Sequence, residues 1–176
     1  GSPGTIGGAV IMKAGAWGRD IAMVLQSVTL VSGDGEVTLA VKDLDFSYRC
    51  CRGFAPYQGK AVVAAVKLLV QHGEREEIMA TCKKLLQQRK AAQPGDYANA
   101  GSFFKNPPND SAGRLIEASG LKGLAVGGAM VSEHHANFLV NTGGARAADV
   151  LQLMKIIQDK VKHDSGVCLE PEVHFI

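Results

Sequence analysis

The clearest pattern along the chain is a pair of β-branched, strand-like runs on either side of Gly33-Asp34-Gly35. Asp-Gly between such runs is a hairpin signal, so strands are predicted over 25–32 and 36–41. The stretch "KDLDFSYRCCRGFAP" reads as a loop or short turn, and "KAVVAAVKLLVQ" as a buried strand, its apolar run being short and rich in valine. After His72 and Gly73 the period changes to that of a helix: Ile78, Cys82, Leu85 and Arg89 share one face, and Glu74, Glu76 and Glu77 fall in the first turn, where the helix dipole favours carboxylates. The run Gln93-Pro94-Gly95-Asp96 stops this helix.

The second half of the chain predicts a short helix between Ser111 and Ser119, closed by Gly120, then a strand over "MVSEHHANFLVN" and a turn from Asn141 to Gly144. Val150, Met154, Ile157 and Val161 repeat at helical spacing and mark a last helix, ended by Gly166. "VCLEPEVHFI" reads as a final strand. The predicted architecture is α+β: a mainly β part over 1–95 and a smaller mixed part over 96–176, divided near Gln93 to Tyr97.

Composition narrows the function classes. The chain has 176 residues, 46% hydrophobic and 20% charged, with a net charge of +2, which suits a globular protein with its own core. No block of lysine and arginine with interleaved aromatics indicates a nucleic-acid surface, and no apolar run approaches the roughly 20 residues of a membrane span. Cys50, Cys51, Cys82 and Cys168 show no CxxC spacing, so neither a zinc site nor a disulfide framework is signalled and a reducing, cytoplasmic setting is expected. The opening holds six glycines in eighteen residues and no initiating methionine, and the chain is expected to begin inside a longer protein.

Several residues could carry chemistry. The opening "GSPGTIGGAVIMKAGAWG" offers backbone N–H groups unshielded by side chains, as a phosphate requires at close range, although a turn or close packing explains it equally well. It matches neither the P-loop nor the Rossmann fingerprint. Tyr48-Arg49 places a permanent cation after an aromatic; such pairs also occur as ordinary surface residues. In "NAGSFFKNPPND", Ser102 is on no nucleophile elbow; its hydroxyl is a proton donor if Lys105 eases loss of the proton, or a serine bonded to backbone. His134 and His135 are adjacent, so on a strand they point to opposite faces and line a substrate or pack rather than share a metal. Glu170 and Glu172 share a strand face as a general-acid pair or a solvated edge, and Pro171 marks that strand as an edge.

Taken in order, "SPGTIGGAVIMKAGAWG", "FSYR", "NAGSFFKNP", "AGRLIEASGLKG", "VGGAMVSEHHANFLVN" and "LEPEV" resemble the UDP-N-acetylenolpyruvoylglucosamine reductase family across essentially the whole chain. The resemblance implies the second half of a flavin-binding α+β domain followed by an α+β substrate-binding domain. It also implies a reaction in which NADPH reduces FAD and hydride then passes to the enolpyruvyl double bond of UDP-N-acetylglucosamine enolpyruvate, giving UDP-N-acetylmuramate for peptidoglycan. By the same resemblance Ser102 is the proton donor. Arg49 and Glu172 stabilise the carboxylate of the enolate-like intermediate, Glu172 in protonated form because an anion there would repel it. Asn106, with Lys105 and His135, binds substrate, and Gly4, Thr5, Gly7 and Gly8 approach the FAD pyrophosphate.

The chain departs from the family pattern in three places. Lys13 stands where the family carries asparagine, Cys50 and Cys51 follow Arg49 where a serine is common, and the family's N-terminal portion is absent from the sequence. The short segment between Arg49 and Glu74 resembles the subtype without an extra substrate-capping loop. Two readings compete with a flavoenzyme: a noncatalytic UDP-sugar-binding module, and a metal hydrolase built on His134 and His135.

Overall fold

The computed structural model describes residues 4–16, 18–48 and 50–175. They form two compact units divided between Ile78 and Met79. The expected site residue Arg49 lies outside the described residues.

The first unit is built on a three-stranded antiparallel sheet in the order β4-β3-β7, where β3 is Leu25–Ser32, β4 Gly35–Ala40 and β7 Ala61–Leu68. The predicted hairpin is present, with Ser32 paired to Gly35 and Thr29 to Thr38. The third strand is also present but is not buried. It lies at the sheet edge and alternates, so Val62 is 67% exposed while Val63 and Val66 pack on the core of Val10, Leu25, Val28, Leu30 and Leu44. An edge position leaves one face of a valine-rich strand without a covering layer.

The glycine-rich opening, expected as a turn, contains a helix, α1 (Ile6–Ile11). Thr5 caps it by accepting the Gly8 N–H at 3.1 Å. A Cβ on Gly7 would lie 3.2 Å from Cβ of Val63, so this glycine lets α1 sit close to β7. The chain continues through two short strands, β1 (Gly15–Ala16) and β2 (Arg19–Asp20). Lys13 has φ +44, a left-handed conformation in which asparagine is enriched, and its ammonium pairs with Asp20 at 3.3 Å. The segment read as a loop holds a small hairpin, β5 (Phe46–Ser47) paired with β6 (Cys50–Cys51).

Helix α2 (Arg75–Ala92) spans the division and ends just before Gln93, where the sequence places its stop. The face that Ile78, Cys82 and Leu85 share is not buried: all three are exposed. The stripe is only three apolar residues deep and alternates with lysines and glutamines, too little to bury against a core.

The second unit packs α3 (Ala112–Ala118) and α4 (Ala147–Ser165) on a four-stranded sheet in the order β8-β11-β10-β9, comprising β8 Ala98–Ser102, β9 Ala125–Val126, β10 Ala129–Val131 and β11 Phe138–Asn141. Ser111 caps α3 through the Arg114 N–H at 3.2 Å, and Gly166 closes α4 with φ +74. Leu153, Ile157 and Val161 are fully buried and line the core with Phe104 and Ile116.

Two strand predictions are corrected here. "MVSEHHANFLVN" is two antiparallel strands, not one, because Ser132 folds the chain back: its Oγ accepts the N–H groups of His134 at 3.1 Å and His135 at 3.3 Å. The histidines thus stand in a tight connection, and the opposite-faces argument does not apply to them. Among the described residues the C-terminal stretch forms no strand and a single bridge, Phe104 to Pro171, since proline has no N–H with which to continue a ladder. Among the described residues no helix is long and apolar enough to cross a membrane.

Candidate functional site around Ser102 and Glu172

Phe103 and Phe104 follow one another into the core of the second unit, 4% and 1% exposed, with their rings edge to face at 5.2 Å. Each such burial contributes roughly 1.5–3 kcal/mol relative to an exposed ring. Two consecutive inward side chains break the alternation of a strand, so the regular ladder with β11 stops at the Ser102–Phe138 pair. The backbone beyond it must find other partners.

It finds them on both sides. On one side Asn137 takes the whole load: its backbone carbonyl accepts the Phe103 N–H at 2.7 Å, its Oδ1 accepts the Phe104 N–H at 2.9 Å, and its Nδ2 donates to the Phe104 carbonyl at 2.8 Å. On the other side Glu172 N–H donates to the Phe103 carbonyl at 2.8 Å, and Lys105 N–H to the Glu170 carbonyl at 2.8 Å. Both bonds come from the neighbours of the Phe104–Pro171 pair, so the missing N–H of Pro171 is not needed.

Among the expected site residues, Ser102 ends β8 with its side chain exposed, and its hydroxyl makes no hydrogen bond with a described residue. Lys105 does not stand over Ser102; its ammonium forms an ion pair with the Glu170 carboxylate. Asn106 Oδ1 accepts the Ala112 N–H at 3.0 Å and so fixes the start of α3.

His135 is half-buried, with its ring edge to face on Phe138 at 4.9 Å and its Nδ1 accepting the Asn137 N–H at 3.2 Å. Burial lowers its pKa, so the neutral ring is the favoured form. His134 Nε2 lies 2.6 Å from the Ala91 carbonyl. Among the described residues no group of three or more His, Cys, Asp or Glu comes together as a metal site.

Sequence reasoning missed Asn137, which is 3% exposed. A signal was present: a lone amide between Ala136 and Phe138, in an otherwise apolar run, must be hydrogen-bonded if it is buried.

In the first unit, Gly4 has φ +141 with nothing near the place of a Cβ, and the first-turn N–H groups of Ile6 and Gly7 make no hydrogen bond with a described residue. Those open amides fit an anionic group, whereas the Gly8 N–H is taken by Thr5. A cleft of about 410 Å³ in the same unit is lined by Ile11, Leu30, Cys51, Phe54, Tyr57 and Val63 among others. Cys51 donates its thiol to the Leu44 carbonyl at 2.9 Å, and burial pushes its pKa up, which keeps it a packing thiol.

Residues 93–176 match the family described as UDP-N-acetylenolpyruvoylglucosamine reductase, C-terminal domain. The chain is 47% identical to UDP-N-acetylenolpyruvoylglucosamine reductase 2 of Symbiobacterium thermophilum over 97% of its own length and 55% of that relative. It is 44% identical to the UDP-N-acetylenolpyruvoylglucosamine reductase of Syntrophus aciditrophicus over 100% of its own length and 55% of the relative. The crystal structure of UDP-N-acetylenolpyruvylglucosamine reductase from Thermus caldophilus superposes with a TM-score of 0.81 at 39% identity, covering 96% of this chain and 59% of that one. The chain therefore spans a little over half the length of the relatives it matches.

Proposed function

The chain belongs to the UDP-N-acetylenolpyruvoylglucosamine reductase family, and from that premise we propose that it supplies the substrate-handling part of a reductase acting on UDP-N-acetylglucosamine enolpyruvate. The observation that carries this reading is the Phe103–Glu172 backbone bond, which joins the G-S-F-F-K-N segment to the L-E-P-E segment. It brings the segment that carries Ser102 alongside the segment that carries Glu172 within one unit, which supports a shared part for the two.

The residues then take the following parts. Residues 96–176 form the substrate-binding domain, with Asn106, Lys105 and His135 along the UDP-sugar. Ser102 gives its hydroxyl proton to the substrate carbon next to the one that receives hydride; its exposed side chain suits that task. Glu172 takes the part of stabilising the substrate carboxylate, where negative charge develops in the transition state, and the family resemblance gives Arg49 the same part. Phe103 and Phe104 hold the strand end in place from within the core, so Ser102 does not have to be positioned by substrate.

When bound, FAD would supply hydride received from NADPH, and the opening around Gly4, Thr5 and Gly7 is the part of this chain that would hold its pyrophosphate. The four free cysteines suit a reducing cytoplasm.

The visible absorption spectrum of the purified chain tests this reading, recorded with added FAD and UDP-N-acetylglucosamine enolpyruvate and then with NADPH. Flavin that bleaches with NADPH and regains its colour with the UDP-sugar supports a reductase assembled from these residues. Uptake of the UDP-sugar without flavin supports a chain that handles substrate but does not by itself hold the flavin. A chain that takes up neither overturns the proposal.

A further inference from the structure

Resting on that reading, we propose that Asn137 is a positioning residue for the site: its carboxamide acts as a one-residue strand partner that locks the Ser102–Asn106 segment in the geometry the UDP-sugar meets. Two inward phenylalanines leave Phe104 with an N–H and a carbonyl that no regular ladder can reach, and both are buried with it. A primary amide carries one acceptor and one donor side by side, the same complement that a neighbouring strand would offer. Asn137 presents both to Phe104, at 2.9 and 2.8 Å, while its own carbonyl holds the Phe103 N–H.

The side chain is itself held from behind. The Asn137 N–H is bound by Nδ1 of His135, whose ring rests against Phe138 and faces Gly113 of α3, where a Cβ would come within 3.1 Å of the ring. The line His135, Asn137, Phe104 thus joins three parts of the unit: the start of α3, the Ser132–Asn137 connection and the strand end bearing Ser102. Aspartate has the same shape but no donor, and its carboxylate would oppose the Phe104 carbonyl. Nothing else at this position is matched to both groups of Phe104.

The test compares the chain with its Asn137→Asp, Asn137→Ser and Ser132→Ala variants. Ser132, 3% exposed, supports the same connection without touching Phe104, and so reports a purely structural loss. Amide hydrogen exchange and calorimetric titration with UDP-N-acetylglucosamine enolpyruvate are read on each. In both Asn137 variants the Phe104 and Lys105 amides are expected to exchange at least tenfold faster while α3 and α4 keep parental rates, and the UDP-sugar to bind about tenfold more weakly. Ser132→Ala is expected to lower thermal stability without either change.

Parental exchange at Phe104 in the Asn137 variants, or an equal rise throughout the unit, overturns the proposal. So does UDP-sugar affinity that falls as much in Ser132→Ala. A parent chain that binds no UDP-sugar overturns the site reading itself, and the exchange comparison then still decides whether Asn137 clamps the strand end.

Discussion

Phe103 accepts the backbone N–H of Glu172 at 2.8 Å, and through this bond the C-terminal segment lies alongside the strand end that carries Ser102. Because the bond uses main-chain atoms, it does not depend on the Glu172 side chain. Glu172→Gln should therefore keep the Glu172 amide as protected from hydrogen exchange as in the parent chain. If Glu172 takes the part proposed for it beside the developing charge, the same change in the full-length reductase should lower turnover by about 10²-fold or more. A stability loss large enough to account for the rate loss would assign Glu172 a scaffolding part instead.

Ser102→Ala removes a hydroxyl that makes no hydrogen bond with another described residue, so folding and UDP-sugar affinity should be retained. Turnover should fall by about 10²–10⁴-fold, the usual worth of a positioned acid. Single-turnover kinetics separates the steps: hydride transfer and proton delivery should come apart in time. A variant with unchanged proton delivery excludes Ser102 as the donor.

Gly127 and Asp149 exclude a side chain between them. Gly127 has φ +54, and a Cβ there would stand 2.5 Å from the Asp149 carboxylate. That carboxylate accepts the Arg146 N–H at 2.9 Å and so holds the first turn of α4. Gly127→Ala combines left-handed strain with displacement of the cap and should cost about 2–4 kcal/mol by urea unfolding. A loss below about 0.5 kcal/mol would mean that the loop moves aside freely.

Acid should unfold the chain partly through two exposed aspartates. The Arg114 guanidinium bonded to Asp110 holds that carboxyl at about 2, and His163 with Lys160 does the same for Asp164, against an ordinary 3.8. Because the folded values lie below the unfolded ones, their stabilisation is complete above pH 3.8 and is lost as pH falls towards about 2. Thermal melts stepped through that window should show Asp110→Asn with a flatter dependence on pH than the parent. Parallel curves would remove Asp110 from the acid transition.

His135 should titrate below its ordinary 6.5, since burial disfavours the charged ring. Its folded value is lowered, so the stability it contributes is complete above pH 6.5 and declines as pH falls from there to the folded midpoint. The ring proton signals in an NMR titration give that midpoint directly. A midpoint above 6.5 would place a charged ring against Phe138 and contradict the packing.

Much of this protein was legible from its sequence because the relevant physics is local. The Gly33-Asp34 turn, the start of α3 after Ser111, the Gly166 stop and the apolar stripe of α4 each depend on neighbours within a few residues, and each stands where the sequence places it. The ordered motifs likewise sufficed to name the family. What failed was read as local but decided by distant partners. "KAVVAAVKLLVQ" is valine-rich and yet an edge strand, because burial depends on which layers cover a sheet and not on its composition. "SEHHANF" turned out to be a connection between strands, because the Ser132 hydroxyl and the Asn137 amide had backbone groups to satisfy that no periodicity records. Sequence alone could single out Ser102 and Glu172 but not join them, since the Phe103–Glu172 bond closes a contact between segments almost seventy positions apart. Only the tertiary structure supplies that pairing, because two buried phenylalanines end the local ladder and leave main-chain groups that must find partners elsewhere in the chain.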